Sequence, residues 1–190
     1  MLWCSYFGFP RLMATVNLLP NADVVNDWTL STGSDVYALL DDDHTGNSSL
    51  DSNHIRATTS GKTCQVAFQD FTEAHSSIDS VQAIVKAGNN GRGQSFALNM
   101  AILNSSGTFW SAEGSGTQAA SATYRTITFT SRTTSDGSSA WTNADVNDLR
   151  MRVDLSAHSG GTTRFTYCYF IITYTEPTVT DNAIFFGTNF

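Results

Sequence analysis

From about residue 80 onward, apolar and polar residues alternate with a period of two. That is the spacing of a strand with one buried face. In residues 80–87, Val81, Ala83, Val85 and Ala87 share one face. In residues 95–103, Phe96, Leu98, Met100 and Ile102 alternate with Ala97, Asn99 and Ala101. Residues 124–130 set Ile127 and Phe129 against Thr126, Thr128 and Thr130. Residues 150–155 set Met151, Val153 and Leu155 against Arg150, Arg152 and Asp154. The longest run, Thr163–Thr175, is apolar on both faces, with Phe165, Tyr167, Tyr169 and Ile171 on one and Cys168, Phe170, Ile172 and Tyr174 on the other. This predicts a central strand covered on both sides or lying in a subunit interface.

The first half is less regular. Residues 28–30, 36–40, 54–57 and 64–71 are shorter strand candidates. The stretches between them, 31–35, 41–53 and 59–62, are rich in Gly, Asn, Asp and Ser, as are later turns at 88–93, 104–107 and 158–161. About nine short strands at this spacing predict an all-β fold, an antiparallel jelly-roll-like β-sandwich. One short helix is expected at 141–149. Thr142 caps its first turn with Asp145 three residues on, Val146 and Leu149 share a face, and Trp141 packs beneath. Pro177 ends the last strand, since proline cannot donate to a ladder.

Three segments follow from this pattern. Residues 1–12 are an apolar arm or a start-site extension, because Met13-Ala14-Thr15-Val16 reads as a natural start. Residues 13–176 form the sandwich. Residues 177–190 are a second arm, a polar spacer followed by Ala183-Ile184-Phe185-Phe186. Apolar segments at chain ends have little reason to order in water unless something covers them.

Composition narrows the function. Ser and Thr make up 47 of the 190 residues, and charged residues only 14%, against roughly 25% in average domains. A net charge of −7 with two lysines, Lys62 and Lys86, argues against nucleic-acid binding. No apolar run reaches the ~18 residues of a membrane span. The cysteines Cys4, Cys64 and Cys168 are odd in number and form no CxxC. Cys64 and Cys168 read as core residues, with a bridge between them as the alternative.

No catalytic constellation stands out. GxSxG is absent, and His44, His54, His75 and His158 fall in no metal-ligand spacing. The glutamates Glu73, Glu113 and Glu176 are scattered, and Glu113 lies in an expected loop at 111–115. Asp41-Asp42-Asp43-His44-Thr45-Gly46 begins like a calcium loop, but its twelfth position is Ser52 where a bidentate Glu is needed. It reads as an acidic solvated turn. No metal or cofactor is expected, and no enzyme activity. Among the aromatics, core packing accounts for Trp28 and Trp141. Phe109-Trp110 follows a Ser-Ser-Gly turn, which makes Trp110 a candidate ligand contact.

Met13-Ala14-Thr15-Val16-Asn17-Leu18-Leu19-Pro20-Asn21, Asp27-Trp28-Thr29-Leu30, the Asp41–Asp43 turn, the 141–149 segment and the aromatic strand ending at Tyr174 occur in a familiar order. Over residues 13–176 the chain resembles a family of small β-sandwich virion proteins of tailed bacteriophages of marine type. The resemblance implies a non-enzymatic structural protein of a virion, a capsid decoration or cement subunit. Its partners would be the major capsid protein or another virion protein and copies of itself, as a trimer. The two apolar ends lie outside the span of the resemblance. Read from their sequence, Trp3, Phe7, Phe9, Ile184, Phe185, Phe186 and Phe190 would make the partner contacts, or else these arms fold back onto their own sandwich. The alternative is a carbohydrate- or receptor-binding module of a tail or tail fibre, with a glycan as partner.

Overall fold

The computed structural model describes residues 11–41, 53–90, 95–107 and 124–178 in full, and residues 109–118 by their backbone. In chain order the elements are β1 (Met13–Leu18), β2 (Pro20–Asn26), β3 (Thr29–Leu30), α1 (Tyr37–Leu40), β4 (Ile55–Ala57), β5 (Lys62–Phe68) and β6 (Ser77–Asn89). They continue with β7 (Phe96–Leu103), β8 (Phe109–Gln118), β9 (Arg125–Thr128), α2 (Asn143–Asn147), β10 (Arg150–His158) and β11 (Thr163–Thr175). The strands form two antiparallel sheets. One has the order β3-β4-β11-β6-β9, with β1 also pairing β11; the other has the order β2-β5-β10-β7-β8.

The last eight strands alone give four-stranded sheets β4-β11-β6-β9 and β5-β10-β7-β8. Successive strands pass between the sheets except at the β7–β8 hairpin, which is the jelly-roll arrangement. β1 and β3 extend the first sheet, and β2 extends the second.

The inward-facing positions are those the alternation predicts. Val81, Ala83, Val85 and Ala87 of β6 meet Leu98, Met100 and Ile102 of β7 and Met151, Val153 and Leu155 of β10 in one core. Phe170 stands edge-on to Phe68 from the opposite sheet, with centroids 4.5 Å apart, and Phe165 stands edge-on to Trp28 at 6.3 Å. Burying each such side chain stabilises the fold by about 2–3 kcal/mol. Cys64 and Cys168 are buried free thiols within this core, so no bridge joins the sheets. Burial, aided by neighbouring Asp23, pushes the Cys64 thiol up; burial, then Cys64 itself, does the same to Cys168.

Several expectations are corrected. Residues 36–40 are not a strand: Tyr37–Leu40 is a helical turn, so the described residues hold two short helices. Val36, Leu39 and Leu40 all point into the core, and a spacing of three and four is that of a helix face. Residues 111–115 are not a loop but part of edge strand β8. β5 stops at Phe68, because Gln69 turns its amide back to the Leu19 carbonyl. Phe165 does not share a face with Tyr167. The β6–β11 register shifts between them, leaving Thr166 unpaired and its hydroxyl on the Lys86 carbonyl at 3.3 Å. This bulge turns Phe165 into the core and Tyr167 to the other side.

α2 follows its sequence signature. Thr142 Oγ1 accepts the Asp145 amide at 3.2 Å, and Asp145 Oδ2 accepts the Thr142 amide at 2.9 Å. Val146 and Leu149 are buried, and Trp141 lies beneath them with its Nε1–H donating to the Arg132 carbonyl at 2.9 Å. Between β11 and β6, Thr175 Oγ1 and Ser77 Oγ both donate to the carboxylate of Asp79, the residue left over by a second register shift.

Candidate functional site

A sandwich offers its two outer faces and its loop ends for recognition. The outer face of the β2-β5-β10-β7-β8 sheet carries a polar set whose members satisfy one another. Thr63 Oγ1 donates to Asp154 at 2.6 Å, and Arg152 Nε donates to the same carboxylate at 3.0 Å. This is what a solvated antiparallel face should look like.

The outer face of the other sheet is different. Along central strand β11 it bears Tyr167, Tyr169 and Ile171. Their β6 partners are Lys86, Ile84 and Gln82, and on the far side β9 adds Thr126 and Thr128. Tyr167 and Ile84 are buried, at 6% and 3% exposure, yet neither belongs to the core between the sheets. The rings of Tyr167 and Tyr169 lie 5.9 Å apart at 39°. Lys86 Nζ stands 5.3 Å from the Tyr167 ring centre, a cation–π contact, and the Tyr167 hydroxyl meets Thr126 Oγ1 at 3.1 Å. Burial, then the neighbouring Tyr167, pushes the Tyr169 phenol up, so Tyr169 stays a neutral hydroxyl through the physiological range.

Toward the β10–β11 turn the same face becomes cationic. Arg164 of β11 is directly opposite Arg56 of β4 on one side and Gly88 of β6 on the other. Tyr124 lies over Gly88: a methyl group at Gly88 would stand 3.0 Å from the Tyr124 Cα and 3.2 Å from its ring. Arg164 Nε and Tyr124 Oη are buried without a hydrogen-bond partner. Beyond Arg56 a depression of about 280 Å3 is lined by Thr29, Arg56, Ala57, Thr58 and Thr162.

The sequence-derived candidates fall elsewhere. Trp3, Phe7, Phe9, Ile184, Phe185, Phe186 and Phe190 lie outside the described residues, as do Asp42 and Asp43; Asp41 caps the C-terminal end of α1. Trp110 is on edge strand β8 by its backbone, within a register shift of the β7–β8 ladder, and its side chain lies outside what is described. Among the described residues no three His, Cys, Asp or Glu side chains gather to hold a metal. No described helix is long and apolar enough to cross a membrane. The tyrosine face was legible as a row on β11, but not Tyr124, Arg56 or Arg164. Their meeting depends on which strands lie side by side.

No protein-family description matches the chain, and no curated protein matches its sequence. Among solved structures, it is similar to a truncated AlyQ with CBM32 and alginate lyase domains. The identity is 13% and the TM-score 0.48 over 88% of this chain and 34% of that one. The chain therefore spans about a third of that protein's length. It is also similar to TmCBM27, a carbohydrate-binding module with specific mannan recognition, at 8% identity and TM-score 0.42 over 87% and 99% of the two chains. A third similarity is to infectious bursal disease virus, Gx strain, at 9% identity and TM-score 0.37 over 89% and 33%. The chain itself is an all-β, jelly-roll-like antiparallel sandwich.

Proposed function

We propose that this chain is a non-catalytic recognition module that binds a glycan across the outer face of the β11 sheet. The observation that carries the reading is the row Tyr167, Tyr169 and Ile171 on the side of β11 away from the core. The core between the sheets does not use this row. Tyr169 and Ile171 stay half-buried with Tyr167 packed beside them, and large aromatics on an outer face mark a contact surface. Tyrosine suits a sugar: the ring covers the apolar C–H side of a pyranose while hydroxyls at its border exchange hydrogen bonds. Gln82, Thr126 and Thr128 flank the rings and supply that border.

A glycan array followed by titration calorimetry tests this. Tyr169→Ala should weaken binding at least about tenfold, worth ~1.4 kcal/mol, with an unchanged circular-dichroism spectrum. Absence of binding to every glycan would refute the reading.

The virion setting rests on the resemblance of residues 13–176, and there the module would sit on a tail or tail fibre as a receptor reader. A second reading, a decoration subunit in a trimer, draws on the same aromatic row, which a neighbouring copy would cover, and on the apolar ends of the sequence. Copy number in purified particles separates the two. Hundreds of copies indicate the head, and a handful the tail.

A further inference from the structure

We propose that the row Tyr124–Gly88–Arg164–Arg56 recognises the carboxylate of an acidic sugar, a uronate or an ulosonate. This rests on the glycan-binding reading and names the class of sugar.

Four observations converge. First, Arg56 and Arg164 are direct cross-strand partners. Their neighbours Ile55, Ala57, Thr163 and Phe165 are all buried and Ile55, Ala57 and Phe165 join the core, so both arginines stand on the outer face. Directly opposed side chains lie about 5 Å apart at Cβ, where like charges repel. Among the described residues neither arginine has a carboxylate partner. An anion between them removes the repulsion.

Second, Arg164 Nε and Tyr124 Oη are buried and unpartnered at the same level of the sheet. Leaving such buried groups unsatisfied is costly. Trp28 Nε1 and His158 Nε2 are also buried and unpartnered, but only Arg164 and Tyr124 face each other across one residue. Guanidinium nitrogens form two parallel bonds to a carboxylate, and a phenol can donate to it. Third, Gly88 lies between them. The Tyr124 ring occupies the space a side chain there would fill, which sets it beside the strand position that pairs with Arg164. Fourth, the depression next to Arg56 has about 280 Å3 and is bordered by Thr29, Thr58 and Thr162. That is small for a drug-sized ligand and suits a single sugar ring, with hydroxyls around its rim. In a chain of net charge −7 with eight arginines, two side by side are a local feature rather than a bulk one.

The test compares an oligogalacturonate tetrasaccharide with its methyl ester and with the matching neutral galactose tetrasaccharide, using calorimetry and the Arg Hε region of 1H–15N spectra. The acid should bind at least about tenfold more tightly than the ester and lose that preference in high salt. It should also move the Arg164 Hε resonance. Arg56→Gln and Arg164→Gln should each abolish the preference while leaving neutral-sugar affinity at the tyrosine row intact. Arg56 is exposed, so its variant serves even if the Arg164 variant folds poorly. Equal affinity for acid and ester, or a preference that survives both substitutions, overturns the carboxylate site and leaves the module reading standing. Failure of every saccharide overturns both.

Discussion

Asp23 on β2 accepts the backbone amide of Tyr37 at 2.7 Å, from fourteen residues earlier in the chain. Its second oxygen takes the Val36 amide at 2.8 Å. The helical turn α1 has no side-chain cap of its own, so a neighbouring strand supplies one. Charge-assisted bonds to two orphan amides stabilise more than a neutral cap. Asp23→Ala should cost about 2 kcal/mol in urea denaturation, and Asp23→Asn about half that. A loss below about 0.5 kcal/mol would show that α1 does not need this contact.

The reciprocal bonds of Thr142 and Asp145 predict coupling. Thr142→Ala and Asp145→Ala should each cost about 1 kcal/mol, and the double variant less than their sum. Additive losses in a double-mutant cycle would mean the two bonds act separately.

Cys64 and Cys168 are buried thiols raised by desolvation. In a Cys4→Ser background, neither should react with a thiol reagent at pH 8 until denaturant unfolds the chain, when both react. Fast labelling of the native protein would contradict their placement in the core.

Gly88→Ala tests the close approach of Tyr124. At 3.0 Å from a backbone carbon the new methyl forces Tyr124 and the strand after it to yield, so the free energy of unfolding in urea should fall by about 1–2 kcal/mol. Binding of acidic sugar should fall with it. A neutral substitution would mean the β6–β9 edge is slack.

Asp136 holds the turn before Trp141. It accepts the Ser139 amide at 2.6 Å and the Ser138 amide at 2.9 Å, and these bonds hold its carboxyl well below the ordinary 3.8. A depressed value contributes stability above the ordinary range and loses it as pH falls past that range. The Ser138 and Ser139 amide resonances should therefore stay fixed through pH 4 and move only in stronger acid. Movement centred at pH 4 would rule out the bonds.

How much of this was written in the sequence depends on what each strand buries. β6, β7, β10 and β11 have one-sided apolar patterns or long apolar runs, and they appear where alternation places them. β2 has Pro20 buried and every later residue exposed, so no period marks it. β8 is an edge strand that opens on Phe109-Trp110 and continues in small and polar residues, so no period marks it either. α1 carried its helical spacing in Val36, Leu39 and Leu40 but is four residues long, shorter than any window that registers a period. The bulge at Thr166 is invisible to a pattern of two, and it decides that Tyr167 rather than Phe165 faces outward. The arginine pair comes from β4 and β11, 108 residues apart in Arg56 and Arg164. Such a meeting follows only from strand order.

β1 runs beside the last residues of β11, with Met13 opposite Thr175 and the Glu176 amide on the Leu12 carbonyl. The polypeptide thus enters and leaves the sandwich at one pole. Arg164 sits eleven residues back along β11, roughly 35 Å away at strand rise. An attachment made through either flank would hold the block like a stalk, with the arginine pair at the end of β11 remote from it.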